Sequence, residues 1–254
     1  MSTVTDPARR RMIKIELVIV FAVTLGLSGL RSLLALLDAL LRPEPLNQQS
    51  VAINVSRAAR DLIDLLAQVT AAAGLVAWAA LGAYLLWRDG IRPACVGLDR
   101  AQPGRDVLRG VGLAALIGIP GLGFYLLAWR SGASLAVVPS TLDDTWWRPV
   151  ALTLSAVGNA LAEEVLVVGY LITRLRQLGL RENSSLALAA VLRGSYHFYQ
   201  GFGGFIGNVV MGLVFGRVWQ RTNRLWALVI AHTLLDVVAF VGYTVLRGTV
   251  AWLP

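Results

Sequence analysis

Residues 159–170 read Asn159-Ala160-Leu161-Ala162-Glu163-Glu164-Val165-Leu166-Val167-Val168-Gly169-Tyr170, two adjacent carboxylates inside an apolar run that extends from Val150 to Thr173. That run is long enough for a helix to cross a bilayer, and the pair sits about ten residues from either end, too deep for both side chains to reach water at a membrane surface. On insertion scales each charge near mid-membrane costs about 2.5–3.5 kcal/mol, so the pair calls for a chemical role and for partners.

The surrounding chain has the composition of a membrane protein. Of its 254 residues 56% are hydrophobic and 15% charged, with a mean hydropathy of +0.65; soluble domains carry about 25% charged residues. The net charge of +8 does not point to nucleic acid, because the basic residues fall at the ends of apolar runs, where they orient membrane helices. Cys95 is the only cysteine, which excludes an internal disulfide.

The expected fold class is all-α: a polytopic transmembrane helical bundle of about seven spans, with the chemistry in the last four. Residues 1–14, with Arg9-Arg10-Arg11, read as a basic cytoplasmic tail rather than a cleavable signal, because the apolar run that follows is too long for one. Residues 15–147 supply three spans, at about Ile15–Leu41, Leu62–Trp87 and Val111–Trp129. Arg31 in the first can snorkel, pair with Asp38 or Glu16, or face the bundle. The connection Arg42–Asp61 reads as interfacial and amphipathic, Pro120 predicts a kink in the third span, and Ser131–Arg148 reads as a loop with an aromatic anchor at Trp146-Trp147. Residues 148–254 form the core, with spans at Val150–Thr173, Leu186–Tyr199, Phe205–Trp219 and Leu225–Leu246; the second and third of these are short for full crossings.

Charge sets an orientation. In a seven-span alternation Arg9, Arg10, Arg11, Lys14, Arg88, Arg92, Arg100, Arg105, Arg109, Arg174, Arg176, Arg181, Arg217, Arg221 and Arg224 share one side, against Arg42, Arg57, Arg60, Arg130, Arg148 and Arg247 on the other. The amino terminus is expected in the cytoplasm, with the protein integral to a bacterial cytoplasmic membrane.

The partners of the glutamates are sought among the other intramembrane polar residues. Asn159, Glu163 and Tyr170 share nearly one helical face. Both histidines of the chain, His197 and His232, fall within apolar spans, and His232 lies four residues before Asp236 on one face. Asn208 and Arg193 complete the set. A helix rise of 1.5 Å per residue places Glu163, His197 and His232 at about 16, 16 and 12 Å from the cytoplasmic side, so the three can meet.

A Glu-Glu pair in one span, a lone His in the next and His-x-x-x-Asp in the last resemble the CPBP (Abi-type) family of CAAX prenyl endopeptidases and bacteriocin-processing or bacteriocin-immunity proteins, over about Asn159 to Val241. By that resemblance Glu163-Glu164 match the first motif, His197 the second and His232 with Asp236 the third. Two positions depart: the family's Glu-Glu-x-x-x-Arg has Val168 at its last position, and its Phe-x-x-x-His has Arg193 at its first. Arg193, four residues before His197, could supply the cation that Val168 lacks.

The resemblance implies a membrane-bound peptidase in which Glu163 and His197 activate water without an obligatory metal. Glu164 would support Glu163, and His232, oriented by Asp236, would stabilise the oxyanion with Asn159 or Asn208. A divalent metal such as zinc is the competing reading, with Glu163, His197 and His232 as its ligands. The expected partners are the bilayer and a membrane-associated or lipidated peptide, with no nucleic acid. The non-enzymatic alternative is a binding or immunity protein, or a proton-coupled carrier, using the same pocket.

Overall fold

The computed structural model describes residues 3–246. Met1, Ser2 and residues 247–254, which include Arg247 and the end of the expected core, lie outside the described residues. Helix α1 (Pro7–Val23) starts on a proline and is capped by the Asp6 carboxylate, which accepts from the amides of Ala8 and Arg9. Aspartate before a first-turn proline satisfies donors that no helical carbonyl can reach. Thr24 breaks the path, and α2 (Leu25–Leu40) continues at a bend of 49°.

Helices α3 (Asp61–Arg88) and α4 (Pro103–Arg130) are long and apolar, and α4 runs unbroken through Pro120, where a kink was expected. Helix α5 (Arg148–Glu163) passes into a π-helical stretch, Glu164–Ile172, and then into α6 (Thr173–Gln177) without interruption. Two helices, α7 (Glu182–Ser195) and α8 (Phe202–Thr222), pack against each other, and α9 (Leu225–Leu246) packs on α4 and α5. Every residue of the π stretch is buried, so it forms the axis of the bundle.

The all-α bundle stands, and its crossings resolve unevenly. Among the described residues, α3, α4, the continuous element Arg148–Gln177, α8 and α9 are each long and apolar enough to cross a membrane; the bent pair α1–α2 is a sixth if it counts as one span. The expected fifth span falls short as a helix. Glu182 pairs with Arg217 near the end of α8, and Gly201 bridges Ser134 just beyond α4 and leads into α8. The segment 182–201 therefore runs back along α8. At 1.5 Å per residue α8 is about 32 Å long and α7 about 21 Å, so the non-helical turn Tyr196–Gly201 covers the difference. Gly201 adopts φ 98°, and a Cβ there would come within 2.7 Å of Ser134 Cα, so only glycine makes this close approach.

The two connections expected as an interfacial piece and a loop each contain a strand. β1 (Ser50–Asn54) and β2 (Ala136–Ser140) pair in parallel, Ser50 opposite Ala136 and Asn54 opposite Ser140. This ribbon caps one end of the bundle. The opposite end gathers the larger basic group: Arg10 donates to the Leu178 carbonyl, Arg88 and Arg174 pair with Glu16, and Arg224 bridges Asp99 and Asp106. Glu16 is thus taken by those two arginines and Asp38 by Arg42, while Arg31 is exposed.

Candidate active site

The two glutamates straddle the change from α5 to the π stretch, at the centre of the bundle. A π-helical turn holds more residues than an α-helical one and commonly marks functional positions. Glu164 is fully buried, whereas Glu163 keeps 9% of its surface exposed. The two carboxylates therefore have different environments although they are adjacent in sequence.

Arg193, in the last turn of α7, is also fully buried. One of its nitrogens, Nη2, lies 2.6 Å from Glu164 Oε1, 3.2 Å from Glu163 Oε2 and 3.0 Å from His232 Nδ1. The guanidinium sits over the Phe215 ring of α8, 5.5 Å from its centroid, a favourable placement for a cation. Gly212, one turn before Phe215, allows α8 to approach: a Cβ there would stand 3.0 Å from Ala190 Cα and 3.2 Å from Arg193 Cδ. Arg193 thus supplies the cation to the acid pair from a neighbouring helix, while Val168 in the glutamates' own element is buried and apolar.

His232 on α9 points Nδ1 at Glu164 Oε1, 2.8 Å away, and Nε2 at Asp236 Oδ2, 3.7 Å away. Its closer partner is therefore Glu164, not the Asp236 expected from i, i+4 spacing. An ionised Glu164 can only accept, so the proton sits on Nδ1 and Nε2 faces Asp236; these roles follow from the hydrogen-bond network. Asn159 also reaches Asp236 Oδ2, with a long bond of 3.5 Å from its amide nitrogen.

Helix α7 ends before it can carry His197 on the same face as Arg193. Tyr196 leaves the helix with φ −83° and ψ 7°, and its hydroxyl donates to Glu163 Oε2 at 2.9 Å. His197 turns Nδ1 back to the Arg193 carbonyl at 3.1 Å, and its ring lies 4.9 Å from that of Tyr196 and 6.2 Å from that of Tyr199. His197 therefore adjoins the acid pair through Tyr196. Asn208 is not drawn in: its amide donates to the Gly204 carbonyl one turn earlier in α8.

Sequence reasoning passed over Tyr196 as a site residue. Its signal was its position beside the lone histidine at the end of a short apolar run. Glu164 Oε2 and Arg193 Nε and Nη1 have no hydrogen-bond partner among the described residues. Buried polar atoms of this kind are ordinarily satisfied by water or a ligand, so the cluster retains capacity to bind one.

The point where Glu163, Glu164 and His232 converge is taken by a cation of the protein itself. Arg193 Nη2 already lies among Glu163, Glu164 and His232, and a guanidinium stays charged in proteins and cannot act as a ligand. Among the described residues no three His, Cys, Asp or Glu side chains are grouped to hold a metal.

Comparison with known proteins bears on the same stretch. Residues 145–238 match the family model for type II CAAX prenyl endopeptidases, Rce1-like. No curated protein and no solved structure matches the chain. The matched stretch covers a little over a third of the chain and contains every member of the buried cluster. With several helices long enough to span a bilayer around it, this is an integral membrane protein whose residues 145–238 are similar to the Rce1-like type II CAAX prenyl endopeptidases.

Proposed function

We propose that this protein is an intramembrane endopeptidase that hydrolyses a membrane-associated or lipidated peptide, with Glu163 as the base and no metal. The observation that carries the reading is the unequal state of the two glutamates. Glu164 is fully buried and held by Arg193 and His232, while Glu163 is the more exposed and is bound by the Tyr196 hydroxyl and, more loosely, by Arg193. A carboxylate locked between a guanidinium and an imidazole is poorly placed to exchange protons. Its neighbour, open on one side, is well placed to do so.

In the proposed reaction Glu163 takes a proton from a water that His197 helps to position, and the hydroxide attacks the carbonyl carbon of the scissile amide. His232, which takes a proton at Nε2 from solvent before the step and returns it afterwards, and the Asn159 amide turn from Asp236 to the developing oxyanion. The tetrahedral intermediate then expels the amine, which receives the proton from Glu163, and the C–N bond breaks to leave an amine and a carboxylic acid that releases its own proton to water. Arg193 positions Glu164, and through it His232. The larger basic group at one end of the bundle further supports a cytoplasmic amino terminus.

The test is cleavage of membrane-peptide libraries by the purified protein in detergent, comparing wild type with Glu163→Ala and His197→Ala. Cleavage by the wild type that falls at least ~100-fold in each variant fits the contribution of a general base. Cleavage that persists in both variants sinks the mechanism. Partner binding or proton-coupled transport without any cleavage would favour the non-enzymatic reading.

A further inference from the structure

A cavity of about 340 Å³ lies between β1, α3 and α5. Its walls are mixed. Asn54, Gln68, Ser155 and Asn159 give it polar sides, Trp78 and Leu75 give it an apolar back, and Arg57 is its only charged lining residue. Asn54 and Gln68 are buried, and Arg57 is exposed at the ribbon end. At roughly 30 Å³ per molecule this is room for on the order of ten waters, and polar walls favour a wet cavity over a dry one.

The cavity is linked to the acid cluster through Asn159. Asn159, its innermost polar residue, donates to Asp236, stands one helical turn before Glu163, and shares Asp236 with His232. The other polar side chains are held in place: Asn54 binds Ser155 and the Pro139 carbonyl, and Gln68 binds Asp64 and the Val55 carbonyl. Helices α3 and α5 touch closely at Gly158, where a Cβ would lie 3.2 Å from the Ala72 carbonyl oxygen, yet a Cβ on the cavity-lining Gly74 would meet nothing within 4 Å. The opening is thus a fixed feature of the helix packing.

We infer that this cavity is a polar vestibule, open at the end of the molecule that carries the β1–β2 ribbon, through which water and a hydrophilic peptide segment reach the buried carboxylates. The assignment rests on the peptidase reading for its purpose and on geometry alone for its wetness. With Arg57 as its one lining charge, it accepts neutral and acidic segments more readily than basic ones.

The test installs Gly74→Cys in the full chain, with Cys95→Ser to remove the native thiol, and treats the folded protein with a charged thiosulfonate that does not enter lipid. Gly121→Cys, on an exposed position of α4 where a Cβ also meets nothing, is the lipid-facing control. The expected result is rapid labelling of the G74C protein, no labelling of the control, and peptide cleavage at least tenfold lower in labelled than in unlabelled G74C. No labelling of G74C, or labelling that leaves cleavage unchanged, would overturn the vestibule. Labelling needs no activity, so a parent that cleaves nothing counts against the peptidase reading while thiol access still decides whether the cavity is wet.

Discussion

Two arginines, Arg174 and Arg193, are completely buried in this bundle, and they are used differently. Arg174 lies at the basic end of the long central element, where it pairs with Glu16 and Asp89 at 2.7 Å each and also binds the Gln177 side chain and the Leu85 carbonyl. Its carboxylate partners are partly exposed, and both terminal nitrogens are used. Arg193 lies at mid-depth and shares a single nitrogen between Glu163 and Glu164, beside His232, leaving two others without a protein partner among the described residues. The first arrangement is a staple that fastens α1 and α3 to the axis. The second is a cation that organises reactive groups and keeps spare hydrogen-bonding capacity beside them.

The difference is open to mutation. Arg193→Ala leaves Glu164 buried without its cation, and loss of one partner of a buried pair costs about 3–5 kcal/mol; thermal unfolding in detergent should show a large drop, and cleavage should vanish. Arg193→Lys should recover part of the stability but little of the activity, because a point charge cannot hold both carboxylates in the same geometry. Activity retained in Arg193→Ala would place the arginine among the staples. Arg174→Met should also destabilise, by about 2–4 kcal/mol given its partly exposed partners, yet the cleavage rate per folded molecule should stay within a factor of two; a selective loss of rate would erase the contrast.

Tyr196→Phe removes one hydrogen bond to a carboxylate, worth about 1.5–3 kcal/mol. It should slow cleavage about tenfold or more, shift its pH profile and lower the unfolding temperature by less than Arg193→Ala does. The smallest effect belongs to the basic end. The Arg224 guanidinium holds the Asp99 carboxyl below its ordinary value, so the pair contributes stability above the unfolded carboxylate range and loses it as the pH falls through the folded value. Asp99→Asn should therefore lower the unfolding temperature slightly at neutral pH and not at all in strong acid.

The same contrast marks what the sequence could convey. Glu163-Glu164 and His232 with Asp236 are legible because a charge in an apolar run is costly and helical spacing puts i and i+4 on one face. Spacing places Asp236 beside His232, as the structure has it, but the closer Glu164 comes from another helix and no local pattern announces it. Glu16 reads as an ordinary residue of a first span, while its tyrosine partner, Tyr170, lies 154 residues away. The parallel pairing of β1 with β2 is equally non-local: each strand is short, and no turn joins them. The end of α7 escaped because an apolar run continues past the last helical residue, and Tyr196 and His197 were read as helix although they occupy the turn that the site requires. The widened turn at Glu164–Ile172 leaves no compositional trace, and its run of valines and leucines has no feature that accounts for it.

The central claim is that a guanidinium-organised pair of glutamates hydrolyses peptide without a metal. Its most direct measurement is the cleavage rate of metal-stripped, chelator-treated protein, wild type beside Glu163→Gln. The account predicts an undiminished rate in the stripped wild type and a loss of at least ~100-fold in the variant. A wild-type rate that disappears on stripping and returns with zinc, or a variant that still cleaves, would contradict it.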